Sequence, residues 1–259
     1  MALIPSEQAA ERILRAKHIL LTTHEHASLD SLASVVALGL ILQRLHKTFD
    51  AVVPAFDAKQ YPNILPKDVD IRAQFGATHS FHLRVNLQHI PLSEFMYDVR
   101  DNILDITLVP KYGSWTLQDV GAEQGADRYD LIIAIGTADM SSLGVLAREQ
   151  ADFLYRTDII NLDCHPSNEH WGQINLVDLN AVSNTEVLYH WLHIWQPALF
   201  DEKLATTLLA GMIAKTKSFR SQKVTPRTLT ASAELITFGA SREAIVHGLW
   251  RTRSVATLK

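Results

Sequence analysis

The sequence THEHASLDSLAS, residues 23–34, joins two patterns that belong to different secondary structures. The apolar run HILLTT at 18–23 leads into it and is typical of a buried parallel strand. From Leu29 to Leu45, apolar residues recur with helical spacing. His24 and Asp30 therefore lie at a strand-to-helix turn, which is where open α/β sheets bind their ligands.

Three further apolar runs, at residues 49–54, 130–136 and 157–163, have the composition of buried strands, and helical segments accompany them. This alternation predicts an α/β fold with a parallel, doubly wound, Rossmann-like sheet and helices on both of its faces. Residues 79–110 instead predict an antiparallel β insertion. Residues 184–250 have helical periodicity and predict a helical C-terminal lobe.

The composition is that of an ordinary globular protein, with 47% hydrophobic and 20% charged residues in a chain of 259. The net charge of −4 argues against a broad basic surface for nucleic acid, but it leaves room for a local basic groove. The single cysteine, Cys164, excludes an internal disulfide and fits a reducing compartment. With no signal-peptide pattern and no membrane-spanning run, we expect a cytoplasmic protein with no membrane partner.

Four polar motifs lie at the ends of apolar elements: HILLTTHEHASLD, DLIIAIGTADMSSLG, INLDCHPSNEHWG and LLAGMIAKTKSF. In their order and spacing they resemble the four motifs of the DHH phosphoesterase superfamily, in the branch of RecJ-like exonucleases and oligoribonuclease/pAp phosphatases. The resemblance covers essentially the whole chain and implies a sheet of five strands. It also implies that residues 1–259 form a DHH-type domain without the smaller DHHA1 domain, because the sequence ends about where the linker to that domain would begin.

In that family, six side chains hold two divalent cations, commonly manganese. The resemblance assigns their positions to His24, Ser28, Asp30, Gly136, Cys164 and Lys215. Two neighbouring cations need several anionic oxygens, and of the six positions only His24 and Asp30 keep a ligand residue. We therefore expect no cofactor, or at most Mn²⁺ or Mg²⁺ bound weakly by His24 and Asp30.

Lys215 changes the charge of this cavity as well as the number of its ligands. An ammonium group would supply the positive charge of a lost metal and repel an incoming cation. We therefore expect Lys215 to form an ion pair with Asp30 and with Asp163, which the chain retains. The alternative, which lacks the compact spacing of a zinc motif, is a zinc site made by Cys164, His26, His170 and Asp139.

Several basic residues are candidates for binding a phosphate without a metal. His165 has the position of the family histidine that points at the substrate phosphate. Arg220, Lys223 and Arg227 lie in or beside the stretch SFRSQKVTPRTL and could also accept an anion. Thr225 precedes Pro226 and predicts a helix cap.

These substitutions favour a catalytically inactive pseudoenzyme that binds a nucleotide, a short oligonucleotide or a protein partner in its remodelled cleft. One alternative is an active phosphoesterase with an atypical metal site, acting on short RNA, pAp or cyclic dinucleotides. Another is a structural subunit of a homo-oligomer or hetero-oligomer, paired through an edge of the β insertion.

Overall fold

A computed structural model of the chain describes residues 3–58, 61–76 and 79–251. Residues 252–259, where the resemblance implies that the domain ends, lie outside the described residues. The chain divides into two compact units, the first made of Met1–Gly76 with Tyr129–Lys259 and the second of Ala77–Arg128.

The described residues contain ten strands and eight α-helices, numbered along the chain. The strands are β1 (His18–Thr23), β2 (Thr48–Val52), β3 (Ile71–Arg72), β4 (His79–Val85), β5 (Leu92–Arg100), β6 (Ile103–Pro110), β7 (Val120–Asp127), β8 (Leu131–Ile135), β9 (Asp158–Asp163) and β10 (Ile174–Val177). The helices are α1 (Pro5–Arg15), α2 (Leu29–Arg44), α3 (Val145–Glu149), α4 (Ala151–Arg156), α5 (Asn184–Trp195), α6 (Glu202–Thr216), α7 (Pro226–Thr237) and α8 (Arg242–Val246).

The first unit is built on a six-stranded sheet in the order β10-β9-β8-β1-β2-β3, and every neighbouring pair of strands is parallel. The chain builds outward from β1 to β3 on one side and returns at β8 on the other. The crevice between the carboxyl ends of β1 and β8 is therefore the topological switch point, where doubly wound sheets bind ligands.

Successive residues of the strands belong to two separate cores, as expected for a sheet covered on both faces. Ile19 and Leu21 of β1 belong to the core that includes α2, α5 and α6. Leu20, between them, belongs to the core that contains Phe153 of α4 and Leu146 of α3. The predicted doubly wound α/β fold is confirmed.

The second unit consists of two antiparallel pairs, β4 with β7 and β5 with β6, so the predicted β insertion is also confirmed. Asp101 and Asn102 form the two-residue turn between β5 and β6, and both have positive φ, at 50° and 62°. This geometry matches a type I′ turn, in which asparagine and aspartate are favoured residues.

The structure corrects one detail of the prediction. The sheet has six strands rather than five, because β3 and β10, of two and four residues, also pair with it. The helical lobe forms as predicted, and its last segment, after the α-helix that ends at Val246, is a π-helix at His247–Arg251. None of the described helices combines the length and apolar character that crossing a membrane would require.

Candidate functional site

The carboxyl ends of β1, β8 and β9 meet at one edge of the sheet and bring the sequence-predicted site residues together. His24 directly follows β1, Gly136 directly follows β8, and Asp163 is the last residue of β9. Asp30 lies in the first turn of α2, which begins after the turn that follows β1. The site therefore lies at the switch point of the fold.

Asp30 is buried, with 1% of its surface exposed, and is bound by the N-terminus of α5. Its Oδ2 accepts a hydrogen bond from the backbone nitrogen of Asn184 at 2.8 Å. Its Oδ1 accepts hydrogen bonds from the backbone nitrogen and the hydroxyl of Thr185, at 3.1 and 2.8 Å. Burial raises the pKa of Asp30, while these hydrogen bonds and the charge of Lys215 act in the opposite direction. Both carboxylate oxygens thus have protein donors.

Gly136 lies at the position that the resemblance assigns to the bridging aspartate, and the space beside it is filled. Its φ is +65°, and a Cβ atom added there would lie 2.5 Å from Asn184 Nδ2 and 3.0 Å from Ser31 Oγ. The Asn184 side chain is buried, and neither of its amide atoms has a hydrogen-bond partner among the described residues. An aspartate at position 136 would therefore displace Asn184.

His24 and Ser28 have local structural roles. The ring nitrogens of His24 lie 2.8 Å from the carbonyl oxygen of Glu25 and 3.2 Å from Ser31 Oγ. Ser28 is the N-cap of α2, and its hydroxyl accepts a hydrogen bond from the Ser31 amide nitrogen at 3.2 Å. Serine is among the favoured residues at this position, so the residue type follows from helix capping.

Lys215 contacts His165 and not a carboxylate. Its Nζ lies 3.1 Å from His165 Nε2, and His165 Nδ1 lies 2.7 Å from Oδ1 of the fully buried Asp163. None of the ion pairs recorded among the described residues includes Lys215, so the predicted direct ion pair with Asp30 and Asp163 is wrong. The reason is that buried Asp30 already has donors from α5, whereas Lys215 is exposed in the last turn of α6.

Asp163 is an ionised anchor for the loop that follows β9. Burial opposes its ionisation, but hydrogen bonds from His165 and from Asn168 Nδ2, the latter at 2.8 Å, hold the pKa of Asp163 below its usual value. The Cys164 amide nitrogen donates a further bond to the same carboxylate at 2.7 Å. The conformation of the Cys164–His165 segment therefore depends on this carboxylate.

The sequence of the chain is similar to parts of curated phosphoesterases. The chain is 27% identical over 81 residues to the bifunctional oligoribonuclease and PAP phosphatase NrnA of Thermus thermophilus, a match that covers 31% of this chain and 25% of the relative. It is also 27% identical over 108 residues to the probable NrnA of Streptococcus mutans, covering 42% and 33% of the two chains. No protein-family model matches the chain.

Two solved structures have the same fold. An exopolyphosphatase-related protein from Bacteroides fragilis superposes with a TM-score of 0.69 at 14% identity, covering 98% of this chain and 62% of that one. A putative family II inorganic pyrophosphatase from Methanococcus jannaschii gives 0.51 at 15% identity, covering 89% and 60%. The curated matches and the shared fold support the resemblance to the DHH phosphoesterase superfamily. The chain matches only part of the length of each of these relatives.

The two-metal centre expected of a DHH phosphoesterase does not fit the residues present. Among the described residues, one group of three ligand-type side chains lies within 4.8 Å, namely Asp163, Cys164 and His165. Burial raises the pKa of the Cys164 thiol to about 12, so it stays protonated, while Asp163 and His165 are hydrogen-bonded to protein groups. A dication would have to displace these partners and lie beside the Lys215 ammonium group.

The zinc alternative also differs from the observed arrangement. Of its four residues, the ligand-type group contains Cys164 alone. Asp139 instead caps the short 3-10 helix Met140–Leu143 by accepting a hydrogen bond from the Ser142 amide nitrogen at 2.9 Å. The structure therefore gives no support to a zinc site made with His26 and His170.

A cavity of about 520 Å³ is lined by His165 and Lys215. Its lining also includes Lys223 and the polar residues Asn180, Ser221 and Thr225, and no described aspartate or glutamate contributes to it. Two ammonium groups and several hydrogen-bonding side chains around a cavity are suited to binding an anion.

The two arginine candidates lie outside this lining. Arg227 forms an ion pair with Asp178 at 2.6 Å, and Nε of Arg220 donates a hydrogen bond to the Lys217 carbonyl oxygen at 2.9 Å. Thr225 caps α7 as predicted, with Pro226 as the first residue of that helix. The structure thus brings His165, Lys215 and Lys223 together but assigns Arg227 to a structural contact.

Proposed function

We propose that this protein is a catalytically inactive member of the DHH superfamily that binds the phosphate group of a nucleotide or short oligonucleotide without a metal. The observation that carries the proposal is the arrangement around Asp30, whose two oxygens are hydrogen-bonded to α5. Two-metal hydrolysis needs cations that generate a hydroxide and stabilise the developing charge. Because both Asp30 oxygens have protein donors and Asn184 lies beside Gly136, the described residues at the switch point do not supply the ligands for such a pair.

The cavity beside Lys215 supports the choice of ligand. A phosphate oxygen near His165 would meet the ammonium group of Lys215 at the place where the resemblance implies a metal ligand. Lys223 lies in the same lining and adds a second positive charge. The curated relatives are an oligoribonuclease and PAP phosphatase and a probable one, so a ribonucleotide phosphate is the ligand that we propose here.

The proposal includes the cytoplasm as the location of the protein. Cys164 is a free, buried thiol, which suits a reducing compartment. Nucleotides and short RNA fragments are present in the same compartment.

Equilibrium binding of a fluorescent 5′-phosphorylated diribonucleotide, measured in EDTA, tests the metal-free site. We expect saturable binding that weakens with salt, and a loss of about tenfold in affinity in Lys215→Ala, because one charge-assisted contact is removed. Lys111→Ala is the matched control, since it removes another exposed lysine, in the second unit. No binding in EDTA, or equal losses in the two variants, would overturn the proposed ligand site.

Turnover assays test the absence of catalysis separately. The purified chain is incubated with Mn²⁺ and with pAp, a diribonucleotide or a chromogenic phosphodiester, and we expect no product above the no-enzyme control. Manganese-dependent turnover that His24→Ala and His165→Ala both abolish would instead establish an active phosphoesterase with an atypical metal site.

A further inference from the structure

The β5–β6 hairpin carries large apolar side chains that remain exposed. Six of them are more than half exposed, namely Phe95, Met96, Tyr97, Val99, Ile103 and Leu104. Adjacent strand residues point to opposite faces, so these side chains occupy both faces of the hairpin. An isolated two-stranded sheet is marginally stable in water, and contiguous exposed apolar surface marks a site of association.

The two outer edges of this hairpin differ in how well they are protected against pairing. Strand β5 carries Glu94, Asp98 and Arg100, and its register shifts between Leu92 and Glu94. Charges and irregularities of this kind discourage the addition of another strand. Strand β6 has the sequence ILDITLVP, in which Asp105 is the one charged residue. Among the described residues, β6 pairs with β5 alone, which leaves its other edge open.

The turn geometry determines which backbone groups of β6 are available. In a two-residue hairpin the closing pair, here Arg100 and Ile103, is the hydrogen-bonded pair. The alternation of an antiparallel ladder then directs the N–H and C=O groups of Leu104, Ile106 and Leu108 away from β5. These three residues form an unpaired row of donors and acceptors along a nearly uncharged edge.

We propose that a second copy of this chain pairs with the open edge of β6, antiparallel and with the twofold axis at Ile106. This register places Leu104 opposite Leu108 of the second copy and Asp105 opposite its Thr107. The backbone N–H and C=O groups of Leu104, Ile106 and Leu108 then all form hydrogen bonds with the same segment of the other copy. The result is a four-stranded sheet with an isologous interface, the arrangement typical of twofold dimers.

Neighbouring registers are less favourable. An axis at Asp105 would place two carboxylates directly opposite each other, which is destabilising. An axis at Thr107 would pair Leu104 with Pro110, which has no N–H group to donate to the ladder. The sequence of β6 therefore favours the register centred on Ile106 over its two neighbours.

Cysteine cross-linking tests the register directly, because the native thiol of Cys164 is buried. In the proposed dimer, position 106 faces itself at a Cα separation of about 5.5 Å, which a disulfide can span. Position 104 lies roughly 14 Å from its own counterpart along the strand direction. Under mild oxidation Ile106→Cys should form a covalent dimer, and the equally placed control Leu104→Cys should stay uncross-linked. Cross-linking of both variants, or of neither, overturns the proposed register.

Light scattering tests the association itself in the full chain. The wild-type protein should have twice the 29.0 kDa mass of one chain, and Ile106→Lys should have the single mass. Circular dichroism of Ile106→Lys should match the wild type, since Ile106 lies on an exposed edge. A monomeric wild type, or a folded Ile106→Lys variant that still has the dimer mass, contradicts the proposal. Neither result depends on whether the cavity beside Lys215 binds phosphate.

Discussion

Replacing Asp30 with asparagine separates a structural carboxylate from a metal ligand. In the structure Asp30 accepts three hydrogen bonds from Asn184 and Thr185 at the first residues of α5. The asparagine Nδ2 would take the place of one carboxylate oxygen and face a backbone N–H group, so that two donors meet. The variant would also lose the interaction between a negative charge and a helix N-terminus.

The expected cost follows from these contacts. Losing a hydrogen bond to a charged acceptor costs about 1.5–3 kcal/mol, and the helix-terminus interaction adds about 0.3–1 kcal/mol. Removing the buried charge offsets part of this cost, because an ionised carboxylate is disfavoured at 1% exposure. We expect a net loss of about 2–3 kcal/mol, or roughly 5–10 °C in Tm for a chain of this size.

Thermal unfolding by circular dichroism, with EDTA and with millimolar Mn²⁺, measures this effect. Asp30→Asn should lose stability equally in both buffers, and the wild type should melt at the same temperature in both. Asp139→Asn is a suitable control, because that aspartate caps a short 3-10 helix. The reasoning is refuted if Mn²⁺ stabilises the wild type, by about 2.7 kcal/mol at 100 times its Kd, and Asp30→Asn loses only that gain.

Four other perturbations have defined outcomes. Gly136→Asp should lower the free energy of unfolding in urea by about 2–4 kcal/mol, because its Cβ would lie 2.5 Å from Asn184 Nδ2 and its backbone would keep a φ of +65°. Cys164 should resist a thiol reagent at about pH 8 until the protein unfolds, because its pKa is raised to about 12. The pKa of Asp163 in the folded protein is below its usual value. The stabilisation that the Asp163 carboxylate gives the fold is therefore present above the usual pKa and is lost as the pH falls through the folded pKa. The free energy of unfolding of Asp163→Asn should therefore depend less on pH in acid than that of the wild type. Lys217→Gly should stabilise the fold by about 1 kcal/mol, because Lys217 has a φ of 51°.

Controls make these outcomes decisive. Gly121→Asp places the same side chain where a Cβ meets nothing within 4 Å, so it should cost little. A Gly136→Asp variant as stable as Gly121→Asp would show that the Asn184 side chain does not fill the bridging position. Rapid labelling of Cys164 in the native protein would contradict its burial. An acid transition of Asp163→Asn that matches the wild type would contradict the stabilising role of that carboxylate, and a destabilised Lys217→Gly would contradict the strained φ at that position.

The architecture could be predicted because it depends on local patterns. Buried parallel strands are continuous apolar runs, and the helices between them have a clear period, so the doubly wound sheet and the strand-to-helix turn at His24 and Asp30 could be predicted, although the strand order could not. Strands β3 and β10 were not predicted, because segments of two and four residues are too short for a periodic signal.

The long-range contacts of the candidate site could not be predicted from local patterns. The resemblance indicated which positions differ from the expected metal ligands, but not which groups lie around them in the folded chain. The donors to Asp30 come from Asn184 and Thr185, more than 150 residues away in the sequence, and no local pattern indicates that contact. The prediction of a direct ion pair between Lys215 and Asp30 was wrong for the same reason. Similarly, the partner of Arg227, Asp178, became apparent only in the folded chain.

Calorimetric titration of the metal-free protein with Mn²⁺ tests most directly whether the DHH fold has lost its two-metal centre here. Because Asp30 has protein donors on both oxygens and Lys215 lies beside His165, we predict no saturable binding tighter than about 1 mM. Binding of two equivalents of Mn²⁺ per chain with micromolar affinity, abolished in Asp30→Asn, would contradict the account.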